Sequence, residues 1–129
     1  MKIENIKFKA KELGTGEWKV GFLQRDMDYN LCILIANKED HSWYWSQIDP
    51  STVSQFTGEK DMNGDEIYIG DIISNLETGS VAEVTWNDRL KRLDCKFLNA
   101  DKGLEVPWGI FVSRYKRIVV LMSKFDKKE

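Results

Sequence analysis

The run from Gln55 to Ile73 constrains this chain more than any other stretch. Gly58, Gly64 and Gly70 fall within it, Asn63 stands directly before Gly64, and Glu66-Ile67-Tyr68-Ile69 supplies strand formers between the last two glycines. Asn63-Gly64 reads as a type I′ turn, in which both central residues take φ > 0, and Asp61 can cap the backbone beside it. Gly58 and Gly70 mark positions that a side chain cannot occupy, and Gly70-Asp71 predicts a bulge or a sharp bend before Ile72-Ile73. Gly58, Asp61, Asn63, Gly64, Glu66, Tyr68, Gly70 and Asp71 together read as a motif that shapes the backbone, with no reacting molecule seated in it.

Period-two alternation dominates the rest of the chain. Ile6, Phe8 and Ala10 alternate with Lys7, Lys9 and Lys11, and Trp18, Val20 and Phe22 share one face of a second strand across a Leu13-Gly14-Thr15-Gly16 turn. Leu31-Cys32-Ile33-Leu34-Ile35 is apolar on both faces, which predicts a central, doubly covered strand. Trp43-Tyr44-Trp45 predicts a strand with both indoles on one face. Asp49-Pro50 reads as the N-cap and first residue of a single helical turn. Farther on, Ala82, Val84 and Trp86 are expected to face the core, Asn87 to Arg92 to form a polar hairpin tip, and Leu93, Cys95 and Phe97 to alternate inward. The stretch from Gly103 to Gly109 reads as loop, Ile118 to Met122 as a closing strand, and the Lys124 to Glu129 tail as frayed.

Three meandering strands with a bend and a later closing strand predict a mainly β fold. Its C-terminal half is expected to be a small SH3-like β-barrel with N-terminal antiparallel strands packed on it and little helix. The 129 residues suit one domain spanning 1–129, with sub-regions 1–57 and 58–123. Fifteen aromatic residues against two prolines agree with a packed β-rich fold. A formal net charge of -2 gives no global field for polyanions.

Cys32 and Cys95 show no paired spacing, and Met1-Lys2-Ile3-Glu4 opens without the apolar stretch of a signal peptide. The expected location is the cytoplasm, with both thiols reduced and buried. No apolar run approaches the length of a membrane span, so no membrane partner is expected.

Several segments resemble the YopX family, proteins found chiefly in bacteriophages, prophages and other mobile elements. They are Ile6 to Ala10, Gly16 to Phe22, Ile48 to Val53, Gln55 to Gly58, Lys60-Asp61, Asn63-Gly64, Glu66 to Tyr68, Gly70 to Ile73 and Val84 to Asp88. The resemblance covers about the first two-thirds of the chain, and the sequence departs from the family's pattern at Arg117 to Ser123. It implies a mainly β fold with an SH3-like barrel, a phage or prophage setting and homo-oligomers. It implies no chemistry.

Candidate chemistry is sparse. Asp61, Asn63 and Asp65 match the first ligand positions of an EF-hand loop, but Glu66 stands where Gly is required and Ile72 where Glu is required. His41 is the sole histidine, and a catalytic triad, a zinc cluster or an H-E-x-x-H motif each needs more than this chain has. Cys32 sits among apolar neighbours and reads as buried instead of activated. Trp43, Tyr44 and Trp45 could stack on nucleotide bases, or pack on one face and cover a subunit contact on the other. Arg89, Lys91, Arg92 and Lys96 form a basic hairpin able to meet phosphates, and Arg114, Lys116 and Arg117 form a second short basic cluster.

The expectation is therefore a non-enzymatic protein of phage or prophage type, without cofactor or metal, acting by binding or self-assembly. A homo-oligomer is the favoured partner, and a phage or host protein is a further one. The alternative is a nucleic-acid-binding accessory protein that uses the basic hairpin.

Overall fold

The computed structural model describes residues 2–37 and 39–126. It is mainly β with little helix, and it divides into two compact units, Met1–Phe56 and Thr57–Glu129. Among the described residues no helix is long and apolar enough to cross a membrane. Of the tail expected to fray, Lys127 to Glu129 lie outside the described residues. Lys124 to Asp126 form a tight turn, in which Asp126 Oδ2 accepts the Ser123 N–H at 2.8 Å and the Asp126 N–H donates to the Ser123 carbonyl at 3.0 Å.

The first unit is an antiparallel sheet of β1 (Phe8–Lys11), β2 (Trp18–Arg25), β3 (Leu31–Ala36) and β4 (Trp43–Gln47), in the order β4-β3-β2-β1. The first residues of β5 (Ser54–Lys60) pair with β1 through Phe8↔Gln55 and Lys9↔Ser54. The expected 3-10 turn spans Pro50–Thr52, with the Asp49 carboxylate accepting the Ser51 N–H at 3.0 Å. Register sorts the side chains cleanly. Phe8, Ala10, Leu23, Leu31, Ile33 and Ile35 point to one side and pack with Ile48 and Val53. Leu34, on the opposite face, is half-buried, so β3 is covered on both faces only at Cys32 and Ile33.

Gly21, opposite Phe8 of β1, also comes close to the backbone of β3. A Cβ at Gly21 would fall on the Leu34 carbonyl oxygen. The backbone there is the kind of close approach that only glycine permits. An isolated bridge, Glu12↔Ile48, and the Leu13 N–H donated to the Gln47 carbonyl at 2.9 Å tie the end of β4 back to the residues after β1.

The second unit holds the remainder of β5 beside β6 (Glu66–Tyr68), and a five-stranded antiparallel sheet. That sheet comprises β7 (Asp71–Asn75), β8 (Val81–Asn87), β9 (Arg92–Phe97), β10 (Glu105–Pro107) and β11 (Ile118–Ser123), in the order β10-β9-β8-β7-β11. Among the described residues no pairing joins β10 to β11, and no closed barrel forms. A helix, α1 (Trp108–Arg114), follows β10 where loop was expected, with Pro107 as its N-cap. Trp108 and Phe111 bury one face of it against Ile67, Ile73, Ala82, Val84 and Cys95. The open sheet thus has its core covered by a short helix.

Two further expectations are corrected. Trp86 shares a face with Ala82 and Val84 but is 47% exposed at the strand's end, where its indole N–H donates to Asp88 Oδ1 at 3.0 Å. The hairpin tip is shorter than the six residues expected, because Asn87 and Arg92 pair across it.

Two glycines test this account in opposite directions. Gly21→Ala should cost about 1–3 kcal/mol in urea unfolding, since the methyl meets backbone that cannot yield cheaply. Gly109→Ala has no heavy atom within 4 Å of the added Cβ and lies in a helix, so it should gain about 0.4–1 kcal/mol. Equal effects at the two positions would contradict the packing described here.

Candidate functional site

Asp61 is only 8% exposed, and backbone donors surround its carboxylate. Oδ1 accepts the N–H groups of Asn63 and Asp65, each at 2.9 Å, and Oδ2 accepts the Val120 N–H at 2.9 Å. The Asp61 N–H donates to the Asp65 carbonyl at 2.8 Å, and the Gly64 N–H donates back to the Asp61 carbonyl at 3.0 Å. Gly64 has φ +85, whereas Asn63 is not in the left-handed region. The loop is therefore three residues long, Met62-Asn63-Gly64, with glycine in the last position, and not the two-residue type I′ turn expected. Asparagine's tolerance of positive φ is not used; only glycine's is.

Gly70 has φ +99 and is fixed from two sides. Its N–H donates to the Val84 carbonyl at 2.7 Å, and its carbonyl accepts the Lys124 N–H at 2.8 Å. Asp71, wholly buried, accepts the Tyr68 N–H at 2.8 Å. The Tyr68 hydroxyl donates to Glu66 Oε1 at 3.0 Å. Burial first, and the Glu66 hydrogen bond second, push the phenol well above its usual range. Gly58 also takes a left-handed conformation, at φ +90. Asp61, Gly70 and Asp71 thus each hold backbone groups in place.

The basic hairpin is less basic than its sequence. Arg92 Nε lies 2.7 Å from Oδ1 of the fully buried Asp94, whose other oxygen accepts from Asn87 Nδ2 at 2.8 Å. That same Asn87 nitrogen donates to Glu105 Oε2 at 2.8 Å. Lys96 stands between Glu83 on one neighbouring strand and Glu105 on the other. Arg89 and Lys91 remain exposed at the tip, with Lys91 at φ +53. A hollow of about 330 Å³ lies beside them, lined by Trp86, Asn87, Asp88, Arg89, Lys96 and Glu105. Counter-charges on the same strands thus blunt the field that four cations would otherwise make. In the second cluster Arg114, Lys116 and Arg117 are all exposed, and the Lys116 N–H donates to Glu77 Oε1 at 3.4 Å.

The aromatic strand behaves differently from its expected half-buried state. Trp43 is 55% exposed, Tyr44 43% and Trp45 53%. Register places Trp45 in one row with Leu34 and Phe22, and the Phe22 and Trp43 rings lie 6.2 Å apart at 33°. Phe22 is itself 43% exposed and Val20 40%. The face of β2, β3 and β4 away from the core is therefore an open aromatic surface. At its end Trp45 joins Arg25, Asp26, Met27 and Asp28 around a hollow of about 470 Å³.

The family model described as YopX protein matches residues 8–118. The chain belongs to the YopX family. No curated protein matches it. The YopX match takes in β1 to β10, α1 and the whole glycine-punctuated motif, and it ends at the first residue of β11. It extends past the segments that carried the resemblance in the sequence, which stopped at Asp88. The match takes in Arg117 and Ile118, the first two residues of the stretch at which the sequence departs from the family's pattern.

Neither cysteine of this YopX protein is built to react. Both are free and buried. Burial, and then Asp94, push the Cys95 thiol up to about 12, while burial and then Asp26 raise Cys32. Three carboxylates are shifted the other way. Ser46 and Thr15 hydroxyls hold Glu12 low, the Asn30 N–H holds Asp26 low, and the Ser42 hydroxyl and N–H hold Asp40 low. Among the described residues no group of three or more His, Cys, Asp or Glu side chains could hold a metal ion.

Asp61→Asn should destabilise the protein by about 1.5–3 kcal/mol, because it replaces a charged acceptor of backbone hydrogen bonds. Asp61→Ala should cost more. A loss below about 0.5 kcal/mol for either, the level of an ordinary surface change, would refute the role given to this side chain. The thiols supply a separate check. Titrating the native protein with a thiol reagent at pH 8 should label neither cysteine, and denaturant should release both; prompt native labelling of Cys95 would contradict its burial.

Proposed function

We propose that this is a non-enzymatic protein of phage or prophage type that works by binding, and that its contact surface is the aromatic side of the first unit. One observation carries the reading. Three large aromatic side chains, Phe22 on β2 and Trp43 and Trp45 on β4, are each at least two-fifths exposed on the face of that sheet away from its core. Contiguous exposed apolar surface of this kind marks interaction sites on monomeric proteins. Tryptophan and tyrosine are also the residue types enriched where partners meet.

The buried acids support a non-catalytic reading. Asp61, Asp71 and Asp94 give their oxygens to backbone N–H groups, to Asn87 and to Arg92. The second unit is read as SH3-like, on the strength of its five-stranded antiparallel sheet and the short helix just before the last strand. Two free, buried thiols favour a reducing compartment, and so the cytoplasm.

Hydroxyl-radical footprinting tests the surface. In the purified protein Trp43 and Trp45 should oxidise readily, while Trp108, 5% exposed, should stay protected. Raising the protein concentration, or adding extract of the host cell, should protect Trp43 and Trp45 and leave Trp108 unchanged. Indoles at 43 and 45 that stay as reactive under both conditions as in the dilute protein alone would end the proposal.

A further inference from the structure

We infer that the outer edge of β4 pairs with a second copy of the same chain, antiparallel, about a two-fold axis at Tyr44. This names the partner for the surface proposed above and rests on that reading.

The backbone supplies the first argument. The Asn37 N–H donates to the Ser42 carbonyl at 2.7 Å, and the Ile48 N–H donates to the Leu31 carbonyl at 3.4 Å. These bonds fix which residues of β4 turn their polar groups toward β3: Ser46 toward Ile33 and Tyr44 toward Ile35, in the alternation of an antiparallel ladder. Trp43 and Trp45 therefore direct their N–H and C=O groups outward. Among the described residues no strand pairs along that side. Gln47 would also face outward, but its carbonyl already accepts the Leu13 N–H. The open stretch is thus Trp43 to Trp45.

That stretch is complementary to itself. With Tyr44 opposite Tyr44 of the second copy, Trp43 of each copy meets Trp45 of the other. Each such pair exchanges two hydrogen bonds, so four form across the axis. The indoles meet on one face and the tyrosines on the other, as cross-strand aromatic pairs. Charge favours the pairing too, since Ser42 to Gln47 carries no Asp, Glu, Lys, Arg or His and two copies meet without like charges opposed.

The other edges of this chain are blunted, which singles out β4. In β11 the outward Val120 N–H donates to Asp61 Oδ2, and the Ile118 carbonyl accepts the Met62 N–H. In β6 the Tyr68 N–H donates to Asp71. β10 is three residues long, opens with Glu105 and ends with Pro107, which has no N–H to offer. Charges, proline and covering loops are the usual protections of a sheet edge, and β4 has none of them across Trp43 to Trp45.

Size sets the strength. Half-exposed Trp43, Tyr44 and Trp45, at roughly 200 Å² per aromatic side chain, offer roughly 300 Å² per copy. The total of roughly 600 Å² falls below the 1,200 Å² or more of a standard stable interface. The dimer is therefore weak and depends on concentration.

Cysteine trapping tests the register. Tyr44→Cys should form a disulfide-linked dimer with oxidised glutathione, faster as protein concentration rises. Cys32 and Cys95, both buried, provide a silent background. Ser42→Cys, four residues out of register with its own mate, should link roughly tenfold more slowly or worse, since disulfides do not span Cα separations beyond about 7 Å. Equal rates for the two variants overturn the register.

A charge pair tests the association without a covalent bond. Tyr44→Lys and Tyr44→Glu should each sediment as monomers, melt like the parent, and associate when mixed. A parent that stays monomeric at the highest soluble concentration, or variants that fail to associate when mixed, overturn the inference. If trapping fails while extract still protects Trp43 and Trp45, the surface binds a different partner and the broader reading stands. If both fail, both fall.

Discussion

The second unit depends on one carboxylate. Asp61 accepts three backbone N–H groups, two from its own loop and one from Val120, 59 residues farther along the chain. The local bonds fix the conformation of Met62-Asn63-Gly64 before any distant contact is made. The third joins that preformed loop to the last strand, where closing so long a stretch of chain must be offset by favourable contacts. Gly70 repeats the arrangement at the next corner, holding Val84 on one side and Lys124 on the other. The glycine-punctuated run is therefore the frame on which β11 docks, and its residues are tied to backbone groups because they position backbone.

The same bonds have a second consequence. A sheet edge exposes a row of unpaired donors and acceptors, and the Asp61 loop covers such a row on β11. Structural caps and edge protection are here one set of hydrogen bonds. Ile118 to Met122, an apolar run that reads from sequence as a candidate subunit contact, is consumed inside its own unit: it pairs with β7, and only Leu121 is exposed. The apolar surface that stays open lies on β4 instead.

Period two made most strands legible, because alternation is a local property of the chain. Phe8 and Ala10 in β1, Cys32 and Ile33 in β3, and Cys95 in β9 face where the pattern puts them. Other features depended on partners distant in sequence. Nothing within a few residues of Arg92 shows that the Asn87 amide will bind both Asp94 and Glu105, so a solvated basic tip is the natural expectation. The helix α1 did leave a trace. Trp108, Phe111, Val112 and Tyr115 stand at i, i+3, i+4 and i+7, but over two turns only, and a proline such as Pro107 marks a loop and a helix N-terminus equally well. The need for glycine at position 64 is visible in the sequence, but the turn type is not, because Asp61's bond to Asp65 selects the longer loop.

The openness of Trp43-Tyr44-Trp45 shows why an edge cannot be read from its own residues. An aromatic strand in mid-sheet and one at the border have the same alternation; strand order alone separates them. In the first unit that order is set by the residues after β1. Glu12 bridges Ile48, and Leu13 binds Gln47, so the border of β4 is covered at its C-terminal end. The cover stops there because Gly14 and Gly16, both at positive φ, turn the chain back into β2. The three aromatic residues upstream are left beyond its reach, with their apolar surface and outward backbone groups exposed together. An edge strand that presents both at once has more to gain from a matching strand than from water, and the nearest matching strand is another copy of itself.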